Sequence, residues 1–156
     1  MKYLLLLTLL LPACDEVIDV RNAPPEVTVT ALCEADGRAF FLATVRDLEG
    51  QPIDVDLVVD QGGARSVIAV GAAGDGATGL SSSEAGVEHR IEWGAPCAGA
   101  GCVDLCADRT VGPSGLSACA PAPAPLPDTL DVTFFATDGK ASVSGQATVP
   151  RMSPCP

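Results

Sequence analysis

In Ile53-Asp54-Val55-Asp56-Leu57-Val58-Val59-Asp60, the side chains of Ile53, Val55, Leu57 and Val59 fall on one side of an extended chain, and Asp54, Asp56 and Asp60 on the other. Successive residues of a strand point to opposite faces, so this period of two predicts a strand with one buried and one wet face. Carboxylates on the wet face keep such a sheet soluble. The same period recurs on both sides of this stretch. Upstream, Val27, Val29 and Ala31 alternate with Thr28 and Thr30, and Cys33 closes the run. Residues 39–46 read as a strand whose adjacent Phe40 and Phe41 leave its inward face open. Downstream, residues 66–70 form a shorter run. Val87, His89, Ile91 and Trp93 then oppose Glu88, Arg90 and Glu92, which puts His89 inside, near the single Trp. Leu130, Val132, Phe134 and Ala136 alternate again, followed by a last run over 142–149 with Val143, Ala147 and Val149 inward.

Turn chemistry separates these runs: Glu34-Ala35-Asp36-Gly37, the 47–52 loop, Gln61-Gly62-Gly63, and Asp138-Gly139, a hairpin signal between two alternating segments. About seven short strands with turns between them and no helical period predict an all-β fold, an immunoglobulin-like antiparallel β-sandwich over residues 25–156. Residues 96–127 break the pattern. They carry Cys97, Cys102, Cys106 and Cys119 among Pro, Ala and Gly, and cannot build a core alone. They read as a disulfide-rich loop insertion.

The N-terminus sets the address. Leu4 to Leu11 is apolar apart from Thr8 and follows Lys2. As a helix it spans roughly 12 Å, against about 30 Å for a membrane span, so it reads as a signal segment. Leu11-Pro12-Ala13-Cys14 resembles the lipobox of bacterial lipoprotein precursors. The resemblance implies diacylglyceryl transfer to the Cys14 thiol, cleavage after residue 13, and acylation of the new amine by a chain such as palmitate. Residues 14–24 are then the lipidated Cys and a tether, with Pro24-Pro25 favouring extended chain. The expected location is the cell envelope, anchored outside the cytoplasm in the inner or outer membrane of a bacterium.

The chain has seven Cys. With Cys14 lipidated, the six others form an even set, which outside the cytoplasm reads as three disulfides, with fifteen possible pairings. A four-thiolate zinc site at Cys97, Cys102, Cys106 and Cys119 lacks the paired C-x₂-C knuckles of such sites. The formal net charge is −11, a surface that repels phosphate backbones, so nucleic acid is not an expected partner.

Thr44-Val45-Arg46-Asp47-Leu48-Glu49-Gly50-Gln51-Pro52-Ile53-Asp54-Val55 resembles the second and third strands of bacterial immunoglobulin-like and cadherin-like surface modules. Gly74-Asp75-Gly76 with Gly86-Val87-Glu88-His89-Arg90-Ile91-Glu92-Trp93 resembles the fifth-strand region of fibronectin type III-like repeats. Val132-Thr133-Phe134-Phe135-Ala136-Thr137-Asp138-Gly139 resembles their penultimate strand and final turn. Such modules serve mostly as spacers, adhesion elements or presenters of other domains. In that topology the first strand can run parallel to the last, which implies a Cys33–Cys155 bridge with the insert cysteines joined among themselves.

These readings converge on a non-enzymatic, lipid-tethered module whose partner is an envelope protein, with the insert and the loops at its end as contact surface, and an insert whose removal spares the fold. The alternative is a calcium- or glycan-binding protein using acidic loops, with Asp47, Glu49, Asp54, Asp56 and Asp138 as the carboxylates. No cofactor is expected. His89 reads as a packed, hydrogen-bonded residue, since no G-x-S-x-G elbow supplies a nucleophile; Ser81-Ser82-Ser83 lies in a Gly-rich loop.

Overall fold

The computed structural model describes residues 22–95, 111–116 and 118–156, and among these the chain is all-β with no helix. The strands are β1 (Glu26–Ala35), β2 (Arg38–Arg46), β3 (Asp54–Gln61), β4 (Ala64–Ile68), β5 (Val87–Trp93), β6 (Cys119–Ala120), β7 (Thr129–Thr137) and β8 (Ser142–Met152). They form one curled sheet in the order β5-β2-β1-β8-β7-β3-β4-β6. The sheet is mixed rather than purely antiparallel. β1 pairs parallel to the end of β8 at Leu32↔Arg151 and Cys33↔Met152, and β4 pairs parallel to β6. The first parallel pair arises because β8 leaves its antiparallel partner β7 after Pro150 and runs on beside the end of β1.

The curl folds one half of the sheet over the other. Val29, Leu32, Phe41, Val45, Ile91 and Trp93 from β1, β2 and β5 pack against Val55, Leu57, Val59, Val132 and Val149 from β3, β7 and β8. Trp93 and Phe41 lie with ring centroids 5.4 Å apart. Burial of these apolar faces is the main term holding such a fold together.

The segment after β4 closes one open side. Gly71 N–H donates to the Glu92 carbonyl (3.0 Å) and Asp75 N–H to the Arg90 carbonyl (2.8 Å), along the free edge of β5. The chain then crosses to the start of β3, where the Val55 N–H donates to the Ala77 carbonyl (2.8 Å) and Ile53 and Leu80 exchange both bonds at 2.9 Å. Two edges that would otherwise offer unpaired backbone are thereby covered. Close approach demands glycine here: a Cβ on Gly74 would collide with the Arg90 carbonyl oxygen, a backbone atom with no freedom to turn aside. Gly74→Ala is expected to cost about 1–3 kcal/mol as an overpacked contact, read as a lower urea midpoint with an unchanged slope.

Two expectations about faces are corrected. Val27, Val29 and Ala31 do not share one face, because a bulge at Thr30 shifts the register between Val29↔Ala43 and Ala31↔Leu42. An extra residue in one strand reverses the facing of everything after it. Leu32 therefore joins Val27 and Val29 in the main core, while Ala31 and Cys33 turn to the other side and pack with Phe40 and Leu42. This also settles the adjacent phenylalanines: Phe41 enters the main core and Phe40 the second cluster.

Asp56 is the second correction. It is 1 % exposed, not part of a wet face. The 111–116 segment lies over it, with the Ser114 N–H (2.9 Å) and hydroxyl (2.5 Å) both donating to Asp56 Oδ2. Further along, the Val67 N–H donates to the Ala118 carbonyl (3.1 Å). The C-terminal part of the insertion is thus built into the domain, and its removal would uncover a buried carboxylate rather than spare the fold.

Candidate interaction surface

β1, β5 and β8 all finish at one end of the curled sheet, where Cys33, Cys155 and the last part of the insertion meet. Cys33 and Cys155 form a disulfide across a sequence separation of 122. Cys155 N–H donates to the Glu34 carbonyl (3.1 Å). The bridge sits on the second apolar cluster of Ala31, Cys33, Phe40 and Leu42. Arg90 Nη2 holds the Pro156 carbonyl at 2.5 Å, so the C-terminal tail lies across the outer side of β1, β2 and β5. Cys119 is also disulfide-bonded. Cys14, Cys97, Cys102 and Cys106 lie outside the described residues, as does the signal segment.

Next to the disulfide runs a proline-rich strap, residues 121–127. Pro121, Pro123, Pro125 and Pro127 lack N–H groups, so the strap cannot extend a β-ladder. Single bonds from its flanks hold it. Ala122 N–H donates to the Gly94 carbonyl (3.2 Å), and Gln61 Nε2 to the Pro121 carbonyl (3.2 Å). Arg151 reaches the Leu126 carbonyl (3.1 Å) and the Asp128 carboxylate (3.1 Å). Ala122 and Leu126 pack on the core. The start of the strap is tied in by β6, where Trp93 Nε1–H donates to the Ala120 carbonyl at 2.9 Å.

Between the strap and the β1–β2 turn lies a cleft of about 480 Å³, lined by Arg38, Glu92, Pro123, Pro125, Leu126 and Arg151 among others. Arg38 pairs with Glu92 at 3.3 Å, and the buried Glu92 also accepts from the Ala73 N–H at 2.7 Å. The cleft therefore has an apolar prolyl and leucyl floor and a fixed rim of two arginines. Arginine and apolar side chains on a rigid frame suit protein contact.

The opposite end is acidic, and its carboxylates work as caps on the chain's own loops. Asp47 Oδ1 accepts from the N–H groups of Glu49 and Gln51, both at 3.0 Å. Asp54 Oδ1 accepts from Gly79 N–H at 2.8 Å. Asp138 Oδ1 accepts from Lys140 and Ala141 N–H, both at 2.6 Å, in a hairpin turn completed by Gly139 at φ 84°. Asn22, the first described residue, donates to Asp138 and accepts from Gln51 Nε2 at 2.6 Å, and the Ala23 N–H donates to Glu49 at 3.3 Å. Of the five carboxylates proposed from sequence as a calcium set, Asp47, Glu49, Asp54 and Asp138 are engaged with the chain's own groups at this end, and Asp56 is buried under the 111–116 segment. Among the described residues no three His, Cys, Asp or Glu side chains stand together to hold a metal.

Asp138 shows what this capping does. Slight burial pushes its carboxyl up. The Ala141, Asn22 and Lys140 hydrogen bonds outweigh that and hold it below its ordinary value of 3.8. A lowered carboxylate pKa gives stability that is present above 3.8 and is lost as pH falls through the folded value. Asp138→Asn is therefore expected to lower the urea midpoint at pH 7, and the two proteins should converge as pH falls below 3.8. A gap that does not narrow at all as the pH falls below 3.8 would assign the effect to something other than the charge.

His89 is buried at 6 % exposure, on the same face of β5 as Ile91 and Trp93. Its Nε2–H donates to the Ser81 carbonyl (2.8 Å), and Nδ1 lies 3.3 Å from Asp75 Oδ2. Both ring nitrogens are occupied in joining β5 to the covering segment, and Ser81 contributes its carbonyl rather than its hydroxyl. Sequence reasoning misplaced Asp56 on a wet face and passed over Arg151. Asp56 reads like Asp54 until the segment that covers it is known, and the role of Arg151 depends on the strap lying beside the end of β8.

No protein-family model, curated protein or solved structure matches this chain.

Proposed function

We propose that this protein is a non-enzymatic lipoprotein of a bacterial cell envelope. In this reading it is an immunoglobulin-like β-sandwich, held in a membrane by acyl chains on Cys14, and it works by contact with another envelope protein. The Cys33–Cys155 disulfide carries the reading. Structural disulfides persist in oxidising compartments, and a short apolar start closed by Leu11-Pro12-Ala13-Cys14 supplies both export and an anchor. Strand order supports the fold assignment. The neighbours β5-β2-β1 correspond to strands E-B-A of the immunoglobulin pattern and β8-β7-β3 to G-F-C. Asn22 is bonded at the acidic end. The eight tether residues that precede Asn22, at most about 30 Å long, would turn that end to the lipid and the strap and its cleft outward. Calcium or glycan binding by the acidic loops is the weaker reading, because Asp47, Asp54 and Asp138 each give an oxygen to backbone N–H groups.

Intact-mass analysis of the native protein should find a chain beginning at an acylated Cys14. Affinity capture from its own envelope should recover a protein partner with wild type and with Lys140→Ala at the acidic end, and at least tenfold less with Arg38→Ala at the cleft. A chain that begins at Met1 without acyl groups would refute the anchor, and equal capture by both variants would refute the contact surface.

A further inference from the structure

The outer face of β8, β7, β3 and β4 carries a polar array that the contact surface does not use. Register places it in two adjacent rows. Thr148 stands opposite Asp131, and Asp60 opposite Arg65; beside them Gln146 stands opposite Thr133, and Thr133 opposite Val58. Strands lie about 4.8 Å apart and same-face residues about 6.8 Å apart, so the array is a compact patch on four rigid strands. It lines a cavity of about 470 Å³ with Val58 as the apolar side chain on this face, while Val132 and Ala147 turn their side chains to the main core. Asp131, Asp60, Arg65, Gln146 and Thr148 are exposed, while Val58 beneath them is buried.

The hydrogen-bonding capacity of this array is largely unspent. Asp131 is oriented by the Thr148 hydroxyl on Oδ1 at 2.6 Å, and Asp60 Oδ1 takes the Gly63 N–H at 2.9 Å. Among the described residues no hydrogen bond engages the second oxygen of either. No hydrogen bond or ion pair engages the side chains of Arg65, Gln146 or Thr133 among the described residues. Arg38, Arg46 and Arg151 are all in ion pairs, so Arg65 stands apart from them.

We infer that this face binds a neutral, hydroxyl-rich ligand, a short saccharide. Charge decides the class. Two carboxylates beside a single guanidinium repel a phosphate or an acidic chain, and the guanidinium cancels much of the pull on a cation. What remains is a dense mixture of fixed donors and acceptors. Carboxylate oxygens accept from vicinal hydroxyls, the five N–H groups of arginine donate to ring and hydroxyl oxygens, and the glutamine amide does both. Residues on strands keep this geometry better than loop residues would. The site is separate from the acidic loops and from the strap cleft.

Titration of the isotopically labelled full-length protein with maltohexaose and with chitohexaose, followed by amide NMR, tests the inference. At least one of the two should give saturable shifts centred on Asp60, Arg65, Asp131, Thr133, Gln146 and Thr148. Arg65→Met and Gln146→Ala should each weaken that binding at least tenfold while leaving the thermal midpoint and partner capture unchanged. Both side chains are exposed and unbonded, so loss of fold does not confound the result. No saturable shift with either saccharide would overturn the inference. So would equal binding by the two variants, or tighter binding of inorganic phosphate than of either saccharide.

Discussion

Replacing both Cys33 and Cys155 with Ser should lower the stability of this domain by about 3–5 kcal/mol and its thermal midpoint by on the order of 15 °C. The bridge closes a loop across a sequence separation of 122, and the chain-entropy form gives about 5 kcal/mol for a loop of that length. The bridge ties the last residues of the chain to the end of the first strand, where only two residue pairs join β1 to β8. It also covers Phe40 and Leu42, so its loss opens the second apolar cluster. Thermal melts of the oxidised wild type and the double variant measure the effect. A shift under 3 °C would mean that the Arg90–Pro156 and Cys155–Glu34 bonds hold the tail without the sulfurs.

Trp93→Ala should cost about 3–5 kcal/mol, the usual loss for emptying a large aromatic site. Trp93 is 2 % exposed, lies against Phe41, and donates to the Ala120 carbonyl. It is therefore the side chain that fastens the β6 segment, and with it the strap, to the core. Trp93→Phe separates the two roles. It keeps most of the packing but leaves the Ala120 carbonyl without its donor, at a cost of about 1–3 kcal/mol. Hydrogen exchange should then quicken at Ala120 and Ala122 more than at Val55 or Leu57. Uniform quickening would show that the indole acts by volume alone.

The interaction surface was partly legible in the sequence. Proline density and cysteines marked residues 96–127 as an insertion, and loops on a rigid frame are where contact is made. Alternation could not show which parts of the insertion lie at the end of the sheet and which lie against its side. The 121–127 strap borders the cleft, while Gly112 and Ser114 lie on Asp56. The polar face with Arg65 and Gln146 was invisible for a different reason. Each residue looks like an ordinary exposed strand position, and only the pairing of four strands sets them side by side.

The sequence by itself determined that the described residues are all-β and where seven of their eight strands begin and end to within a few residues; β6 fell in the stretch read as a loop insertion. Period two and turn chemistry are local properties, written in consecutive side chains. The family resemblance pointed to Cys33–Cys155, which the structure contains, but only the tertiary structure decided which of two adjacent phenylalanines enters the main core and which of several aspartates is buried. Each depends on contacts between residues far apart in the chain. A one-residue bulge at Thr30 or a covering loop over Asp56 changes the outcome without changing the local pattern.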